Sequence, residues 1–595
     1  MPPEPGHIQG PDYAMLIGYF VLMLGIGAYF YRFMHRMKDY FSGGNNIPWW
    51  LSGASFWMSS FSVFAFVFYS ALAFKYGWVA VTLYWVTIPA TIFSVTLFAK
   101  RWRRARIDSP VEYLETRYSP ALRQLFAWQG VPVLIIDDGL KLVAIGTFIS
   151  VGLGLDMKLS MLGAGLIMLA YTFMGGLWAV AVTDFVQFVV MGVAILVILP
   201  LSIAQAGGIG TILEKAPEGF FSLTTPEYPW IYVGLLAILY CLAWSSVKWP
   251  LIQRYYCVRD EKEALKVGWF VVLLNVIGPP LMFIPAMAAA HFLGDVPGKE
   301  VYPRLCALLL PAGMLGLVIA AMFSATMSML SSDYNACAGV LTNDVYRRLV
   351  HQNASQKELV LVGRLMTLLV GFIALGVAFL FSAGTGEGLF RTMVTLFSIA
   401  TAPVAIPMIL GLLSKRVTNV SAIVGFLCGL AVGLGLYFLF YYQFPEDKET
   451  RILGMIWDPQ HNEILLGSLR LKMEVVLFSC NALVTLVAML IVSSLRPIGI
   501  GERNRVELFR NRLATPIGQL AQDQPAITAG EKILSPFFVV GISILLIGLL
   551  MLGVLPWVKV RLAFYLDLSL GVILVIIGGL MTWQSGRSKT ESSIG

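Results

Sequence analysis

Long uninterrupted apolar runs are the feature that most limits what this 595-residue chain can fold into. A helix needs about 20 apolar residues to cross the roughly 30 Å hydrocarbon core of a bilayer. Windows of that length predict fifteen membrane spans, and a tight turn around Thr183 is expected to divide the fifth from the sixth. The predicted spans are 12–32, 48–73, 78–99, 124–153, 160–182, 184–203, 230–253, 267–292, 308–344, 360–381, 390–412, 417–442, 473–494, 536–556 and 563–583.

The composition leads to the same class of protein. Charged residues make up 13% of the chain and hydrophobic residues 58%. A soluble domain carries about 25% charged residues, so most of these side chains must lie in lipid or against one another. We therefore predict an all-α polytopic membrane protein, with the lipid bilayer as its first partner and the inner (cell) membrane as its location.

Lysine and arginine are concentrated in alternate loops, with about 28 on one predicted side and about 12 on the other. Basic residues mark the cytoplasmic side, so the N-terminus is predicted outside and the C-terminus inside. This orientation also accounts for the net charge of +8 without a nucleic-acid partner. The N-terminal segment lacks the regions of a signal peptide, so we expect the first span to be retained. The basic loops hold Arg32, Arg36, Lys38, Lys100, Arg101, Arg103, Arg104, Arg106, Arg254, Arg259, Lys262, Lys266, Arg347, Arg348, Lys415, Arg416, Arg496 to Arg512, Arg587 and Lys589.

Ionisable side chains within spans are costly and therefore indicate function or mutual pairing. Asp137 and Lys141 are four residues apart with the acid first, which favours an ion pair within one helix. Asp138 and Lys248 have no partner nearby in the sequence, so they pair across the bundle or contact a substrate. A purely structural role for these charges stays open. The charged residues predicted within spans are Asp137, Asp138, Lys141, Asp184, Lys248 and Asp333.

Two predicted spans are interrupted by polar residues and helix breakers. The first contains Ser59, Ser60 and Ser62, and the second contains Lys248 followed by Pro250. Proline removes a backbone donor, and broken helices at corresponding places in two halves indicate a transporter binding site. Close helix packing by the serines is the alternative. The substrate residues that we predict are Ser59, Ser60, Ser62, Asp137, Asp138, Trp244 and Lys248.

A further polar stripe lies in the predicted span 308–344. Its side chains recur at helical spacing, and hydroxyls on one face suit a partly desolvated cation or interhelical hydrogen bonds. By contrast, the six cysteines are scattered without a CxxC pair, and the five histidines are isolated. We therefore expect neither an enzyme nor a metal or organic cofactor. The members of the stripe are Ser324, Ser328, Ser331, Ser332 and Asn335.

Six segments, in order across about residues 12–440, resemble the sodium:solute symporter family, which includes sodium–glucose, proline and iodide cotransporters. The most specific is GGLWAVAVTDFVQ at Gly175–Gln187, similar to the family pattern Gly-Gly-x-x-Ala-Val-x-x-Thr-Asp-x-x-Gln. The others are SGGNNIPWW (Ser42–Trp50), SPVEYLETRY (Ser109–Tyr118), LIQRYYCVRDEKEA (Leu251–Ala264), MSMLSSDYNA (Met327–Ala336) with TNDVYRR (Thr342–Arg348), and APVAIPMILGLLSKR (Ala402–Arg416).

The resemblance implies a leucine-transporter-type fold with a core of five plus five inverted helices. The core is expected over 48–412, with repeats at 48–203 and 230–412. Residues 1–47 then form an accessory span and the first cytoplasmic loop, and 413–595 form further accessory spans. Alternating access by rocking of one bundle against the other is the expected mechanism.

The resemblance also implies a sodium site. Two backbone carbonyls at the first broken helix match Met58 and Phe61, and the eighth core helix supplies the Ala325 carbonyl and the Ser328 hydroxyl. Met329 departs from the family, because its thioether replaces a second hydroxyl and is a poor ligand for a hard cation. Asp184, from the Thr-Asp motif, lies near the sodium path in the family.

These features predict sodium-coupled symport of a small polar solute, such as a sugar, a carboxylate or an amino-acid-like molecule. Lys248 matches a neutral position that contacts sugar in the glucose transporters, which favours an anionic solute. Proton-coupled or sodium-independent transport is the first alternative. A transporter-derived membrane sensor is another, and we expect no signalling domain in the dozen residues after the last span.

The predicted orientation is tested by single-cysteine labelling in a cysteine-free background. A cysteine at position 505 is expected to resist an impermeant thiol reagent in intact cells, because the 495–535 loop is predicted to be cytoplasmic, as is the 100–123 loop. A cysteine in the 443–472 loop should react. Labelling of position 505 from outside would contradict the orientation.

Overall fold

The computed structural model describes residues 9–31, 41–60, 62–107, 109–110, 112–311, 313–382, 386–440, 450–452, 455–458, 463–466, 469–520, 523 and 535–591. These residues are almost entirely helical, as predicted. The helices are α1 (Gly10–Tyr31), α2 (Trp49–Met58), α3 (Val63–Tyr76), α4 (Val79–Ala105), α5 (Tyr113–Arg117), α6 (Pro120–Leu153), α7 (Met157–Gln205), α8 (Ile209–Lys215), α9 (Trp230–Val247), α10 (Trp249–Tyr256), α11 (Glu261–Ala289), α12 (Val301–Leu309), α13 (Met314–Val350), α14 (Gln356–Phe381), α15 (Gly386–Leu413), α16 (Asn419–Phe438), α17 (Met473–Leu495), α18 (Ile500–Ala514), α19 (Pro536–Trp557) and α20 (Arg561–Glu591).

Twelve helices among the described residues are long and apolar enough to cross a membrane. Three of the fifteen predicted spans fall outside this set for physical reasons. Span 48–73 is broken into α2 and α3, and span 124–153 lies in α6, which carries Asp137, Asp138 and Lys141. The described apolar part of span 160–182, Met157–Ala170, is too short by itself. The number fifteen therefore stays a prediction.

The prediction of a tight turn around Thr183 is wrong. Thr183 lies within the continuous helix α7, and its hydroxyl donates to the Ala179 carbonyl one helical turn earlier at 2.8 Å. The two parts of α7 have different partners. Leu169 in the first part packs against α14, whereas Gln187 in the second part donates to the Tyr19 hydroxyl of α1 at 3.3 Å.

A small β-sheet, which the sequence did not predict, lies outside the membrane helices of this otherwise helical fold. Four antiparallel strands of three or four residues lie in the 443–472 loop, in the order β1-β2-β3-β4. Trp457 anchors the sheet, since it is buried with its ring centroid 5.4 Å from that of Phe440 at the end of α16. The strands are β1 (Thr450–Ile452), β2 (Met455–Asp458), β3 (Glu463–Leu466) and β4 (Leu469–Lys472).

Helix α13 is the central element, since other parts of the chain bury 94% of its apolar membrane-spanning stretch. Helix α1 contacts the start of α13. Asp12 Oδ1 accepts hydrogen bonds from the backbone N–H groups of Gly313 at 2.7 Å and Gly316 at 2.9 Å. A carboxylate at a helix N-terminus satisfies donors that have no partner within the helix. A Cβ at Gly316 would lie 2.1 Å from the Asp12 carbonyl oxygen, so only glycine allows this approach.

The segment 500–520, together with Asp523, is bound to the ends of α4 and α11, a contact that the sequence did not predict. Arg106 donates to both Asp523 carboxylate oxygens at 2.6 and 2.8 Å and to the carbonyl of Pro516 at 2.9 Å. The Arg106 guanidinium holds the pKa of Asp523 at about 2, far below its usual range. The contact therefore persists at any pH above that value. Arg106, predicted as a solvated loop charge, is instead only 6% exposed.

Removal of the Arg106 side chain should release this segment. We expect Arg106→Ala to raise amide hydrogen exchange across 512–520 about tenfold or more, because a nearly buried charge pair is lost. Arg101→Ala is the matched control, since Arg101 lies in the same helix and bonds its own helix at Leu97. Equal exchange in the two variants would contradict a holding role for Arg106.

Candidate cation and substrate site

The first helix break is present where the sequence predicted it. Helix α2 ends at Met58, and α3 begins at Val63. Ser60 in the turn donates its hydroxyl to the Trp57 carbonyl at 2.6 Å, and the Val63 N–H donates to Thr326 Oγ1 at 3.2 Å. Two backbone groups at the break, the Trp57 carbonyl and the Val63 N–H, thus have side-chain partners. Ser62 is the buried residue that precedes α3, and Phe61 lies outside the described residues.

The second break lies at Lys248. Helix α9 ends in a widened turn at Ala243–Val247, and Lys248 has a non-helical backbone before α10 begins. Pro250 lies in the first turn of α10. Backbone N–H groups in the first turn have no partner within the helix, so the N–H that proline lacks costs no hydrogen bond. Trp244 is buried, and its ring centroid lies 5.9 Å from that of Phe56 in α2. The two breaks therefore face each other, as a shared site requires.

The break in α2–α3 also faces the polar stripe of α13. Ser59 and Ser332 share a hydrogen bond between hydroxyls at 2.9 Å, and Val63 bonds Thr326. On α13, Ser328 lies between these two contacts, and Ala325 directly precedes Thr326. The Ser328 hydroxyl is buried and makes no hydrogen bond of standard geometry among the described residues, although the Asp184 carboxylate lies near enough to interact with it. Buried polar atoms are rarely left unbonded, so this oxygen is suited to an external ligand.

Asp184 adds an anionic oxygen to the same region. It is fully buried, and Oδ2 accepts a hydrogen bond from the Ser55 hydroxyl of α2. Its Oδ1 has no hydrogen-bond partner within the described part of the chain. A free carboxylate oxygen, the Ser328 hydroxyl and backbone carbonyls at a helix break form an oxygen donor set that suits a hard cation. Met329, half-buried beside them, contributes only sulfur.

Arg254 is the residue of this region that the sequence interpretation missed. It was predicted in a basic loop, but it lies in the last turn of α10 with no exposed surface. Its Nε donates to Ser55 Oγ at 2.6 Å, and its Nη2 donates to Ser332 Oγ at 2.7 Å and lies 3.5 Å from Asp184 Oδ2. One signal for this arginine was available in the sequence. Asp184 is an acid within a predicted span, and no basic residue lies near it in the sequence to balance its charge.

The other charges that were predicted within spans form a separate cluster around Lys141. Its Nζ lies 2.8 Å from Asp137, 2.9 Å from Asp138 and 2.7 Å from Asp333 of α13. The predicted Asp137–Lys141 pair is confirmed. The expectation that Asp138 lacks a local partner is wrong, because Lys141 is long enough to reach back three residues as well as four.

The cluster brings three carboxylates close enough to hold a metal ion, a grouping that the sequence did not predict. Their oxygens lie within 4.8 Å of one another. The Lys141 ammonium already lies between them, and its three N–H donors match the three carboxylates. The described residues therefore supply their own cation at this place and do not fit a metal ion in addition.

Lys248 stands at the edge of the cluster. Its Nζ lies 3.6 Å from Asp137 Oδ2 and 3.8 Å from the ring centroid of Phe397 in α15. Its side chain is 18% exposed, against 2% for Lys141. The expected pairing of Lys248 with Asp137 or Asp138 is thus confirmed for Asp137, although the contact is loose. Asp137 Oδ1 has no hydrogen-bond partner among the described residues.

Comparison with known proteins identifies the family. The family model described as the sodium:solute symporter family matches residues 40–429. The chain is 26% identical to the sodium/sialic acid symporter SiaT of Proteus mirabilis, over 75% of this chain and 95% of that protein. It is also 26% identical to the sodium/glucose cotransporter of Vibrio parahaemolyticus, over 71% and 84% of the two chains.

A solved structure, a substrate-bound outward-open state of a Na⁺-coupled sialic acid symporter, has the same fold. The TM-score is 0.69 at 22% identity, over 82% of this chain and 98% of that chain. The family model covers more than half of the sequence, and the helices and breaks agree with it. The chain is therefore a multi-pass membrane protein that belongs to the sodium:solute symporter family, and its function is sodium-coupled solute symport.

Proposed function

We propose that this symporter carries a small polar solute with an anionic group, and that Lys248 binds that group. The observation that supports the proposal is the position of Lys248. It lies at the second helix break, partly exposed, with its nearest carboxylate 3.6 Å away. A cation held this loosely in a partly buried place gains from a closer anion.

The neighbours of Lys248 narrow the class of solute. Asp137 Oδ1 is a buried acceptor without a partner, so it suits a hydroxyl or amine donor of the solute. The rings of Trp244 and Phe397 supply apolar surface beside these polar groups. A hydroxylated acid offers all three features. One relative, named for sialic acid, carries a solute of this class, whereas another is named for glucose, which shares the hydroxyls and lacks the carboxylate.

The proposed sodium ligands are the carbonyls of Met58, Phe61 and Ala325, the Ser328 hydroxyl and the Asp184 carboxylate. Four of these five residues are described and buried. The two side-chain ligands, Ser328 and Asp184, interact with each other and retain oxygen atoms that make no hydrogen bond of standard geometry. Ser59, Ser60 and Ser62 lie at the break between this site and the proposed solute site, so that they join the two.

We further propose the organisation expected from the sequence. The core is 48–412, with repeats 48–203 and 230–412, and 1–47 and 413–595 are accessory. The N-terminus lies outside and the C-terminus in the cytoplasm of a cell membrane, with lipid rather than nucleic acid as the surrounding partner. The solute leaves chemically unchanged, so the protein is no enzyme and needs no organic cofactor.

Uptake into proteoliposomes tests the proposed substrate class. We expect an inward sodium gradient to drive accumulation of a hydroxylated acid such as sialic acid or a related sugar acid. The matched neutral sugar should accumulate far more slowly. Faster uptake of the neutral sugar, or no dependence on the carboxylate, would contradict an anion-binding role for Lys248.

The sodium site is tested by two adjacent substitutions. Ser328→Ala should raise the half-saturating sodium concentration by about 5- to 150-fold, because a lost hydrogen-bonding ligand costs about 1–3 kcal/mol. Met329→Thr should lower it by restoring a hydroxyl. Transport that ignores sodium but follows a pH gradient would show that this site is vestigial.

The two lysines of the cluster should differ in effect. Lys141→Gln leaves three buried carboxylates poorly compensated, which we expect to destabilise the protein by about 3–5 kcal/mol. Lys248→Gln should retain near-normal thermal stability and lose solute binding. If Lys248→Gln destabilises the protein and Asp137→Asn restores it, Lys248 is a structural partner. Unchanged solute affinity in stable Lys248→Gln protein would rule out both roles.

A further inference from the structure

Arg254 connects both broken helices with the proposed cation site. From the end of α10 it bonds Ser55 in α2 at 2.6 Å and Ser332 in α13 at 2.7 Å. It also lies 3.5 Å from Asp184 in α7 and from the Ser59 hydroxyl at the α2 break. No other side chain described above joins these four elements. We propose that Arg254 is an internal cation that sodium displaces, and that this displacement loosens the closure at the end of α10.

The charge balance supports competition rather than cooperation. Asp184 and Arg254 together are neutral, and both are fully buried. A sodium ion on Asp184 would place a second positive charge beside the guanidinium in a region without exposed surface. Like charges at short distance in a low-dielectric interior repel strongly. Sodium is therefore held best when Arg254 has moved away from Asp184.

The contacts of Arg254 show what its movement would release. The hydroxyl of Ser52 in α2 donates to the Arg254 carbonyl at 2.7 Å. One residue earlier, Gln253 Nε2 donates to Asn335 Oδ1 of α13 at 3.1 Å. Two residues later, the Tyr256 carbonyl accepts from Asn45 Nδ2 at 2.7 Å. We call these three contacts the α10 closure. They connect the last turn of α10 to α2, to the segment just before α2, and to α13.

The geometry of Asp184 allows the exchange. The carboxylate is anchored by the hydrogen bond from Ser55, whereas its distance to Arg254 is long for a charged pair. Its Oδ1 and the Ser328 hydroxyl interact at most with each other while Arg254 is in place, and neither makes a hydrogen bond of standard geometry. A cation can thus bind at these oxygens first and repel the guanidinium afterwards. Because binding and closure share Arg254, each must weaken the other by the same factor.

Cys257 gives a native reporter for the closure. Its thiol has no exposed surface, and it lies 3.4 Å from the Ser52 hydroxyl, directly after α10. The experiment uses purified full-length protein in which the other five cysteines are replaced. The alkylation rate of Cys257 by a small maleimide is measured in potassium and in sodium at equal ionic strength. Binding of ²²Na⁺ is measured on the same samples, without solute.

We expect sodium to raise the alkylation rate of the Cys257 protein about tenfold, which corresponds to about 1.4 kcal/mol of coupling. In Arg254→Gln the rate should be high in both salts, and half-saturating sodium should fall about tenfold. Arg259→Gln, which changes a nearby exposed arginine, is the matched control and should behave like the parent. Weaker sodium binding in Arg254→Gln, or a sodium-independent Cys257 rate in the parent, would overturn the proposal.

Two further variants keep the outcomes separate. Arg254→Lys retains the charge that balances Asp184, but an ammonium cannot hold Ser55 and Ser332 as a planar fork does. It should fold and show rapid alkylation in potassium, and a slow rate there would overturn the proposal even if Arg254→Gln fails to fold. The inference rests on the proposed sodium site. If Ser328→Ala and Asp184→Asn both leave ²²Na⁺ binding unchanged, the site is wrong, whatever Arg254 does.

Discussion

The need to satisfy polar groups inside a lipid-embedded bundle shapes this molecule. Helix α13 is buried on nearly every side and still carries Ser328, Ser332 and Asp333. Two neighbouring helices are broken, and each break exposes backbone groups that must find partners without water. Helix α13 supplies one such partner, since Thr326 accepts from the Val63 N–H. Ser332 of α13 also bonds the side chains of Ser59 and Arg254. The polar groups of α13 and those at the first break thus satisfy one another.

Charge is divided between two places that border α13. On one side, Asp184 of α7 and Arg254 of α10 balance each other, yet one Asp184 oxygen and the Ser328 hydroxyl make no hydrogen bond of standard geometry. On another, Lys141 fills the space among three carboxylates and closes it to a second cation. Sodium can take the place of Arg254 beside Asp184. The cation of the second place is the Lys141 side chain itself, which is part of the chain and cannot leave. This difference explains why we assign sodium to the Asp184 side and a structural role to Lys141.

The architecture can be predicted from the sequence because the bilayer constrains the apolar length of each span and the placement of polar residues within it, and both are visible in the local sequence. Apolar length is a local signal, and it correctly indicated most of the helices. Ser59, Ser60 and Ser62, and Pro250 after Lys248, are local signals as well, and they correctly indicated both breaks. Long-range pairing is not local. Nothing near Arg254 shows that its helix places it inside, and nothing near Asp333 points to Lys141. The α10 closure and the binding of the 500–520 segment by Arg106 likewise depend on residues hundreds of positions apart.

We infer that the coupling cation binds at Asp184 and not in the Lys141 cluster. Direct ²²Na⁺ binding to purified Asp184→Asn and Asp138→Asn proteins compares the two places, since each substitution removes one buried carboxylate charge. We expect Asp184→Asn to lose saturable sodium binding and Asp138→Asn to retain it with similar affinity. Retained binding in Asp184→Asn, with loss in Asp138→Asn, would instead place the cation in the Lys141 cluster.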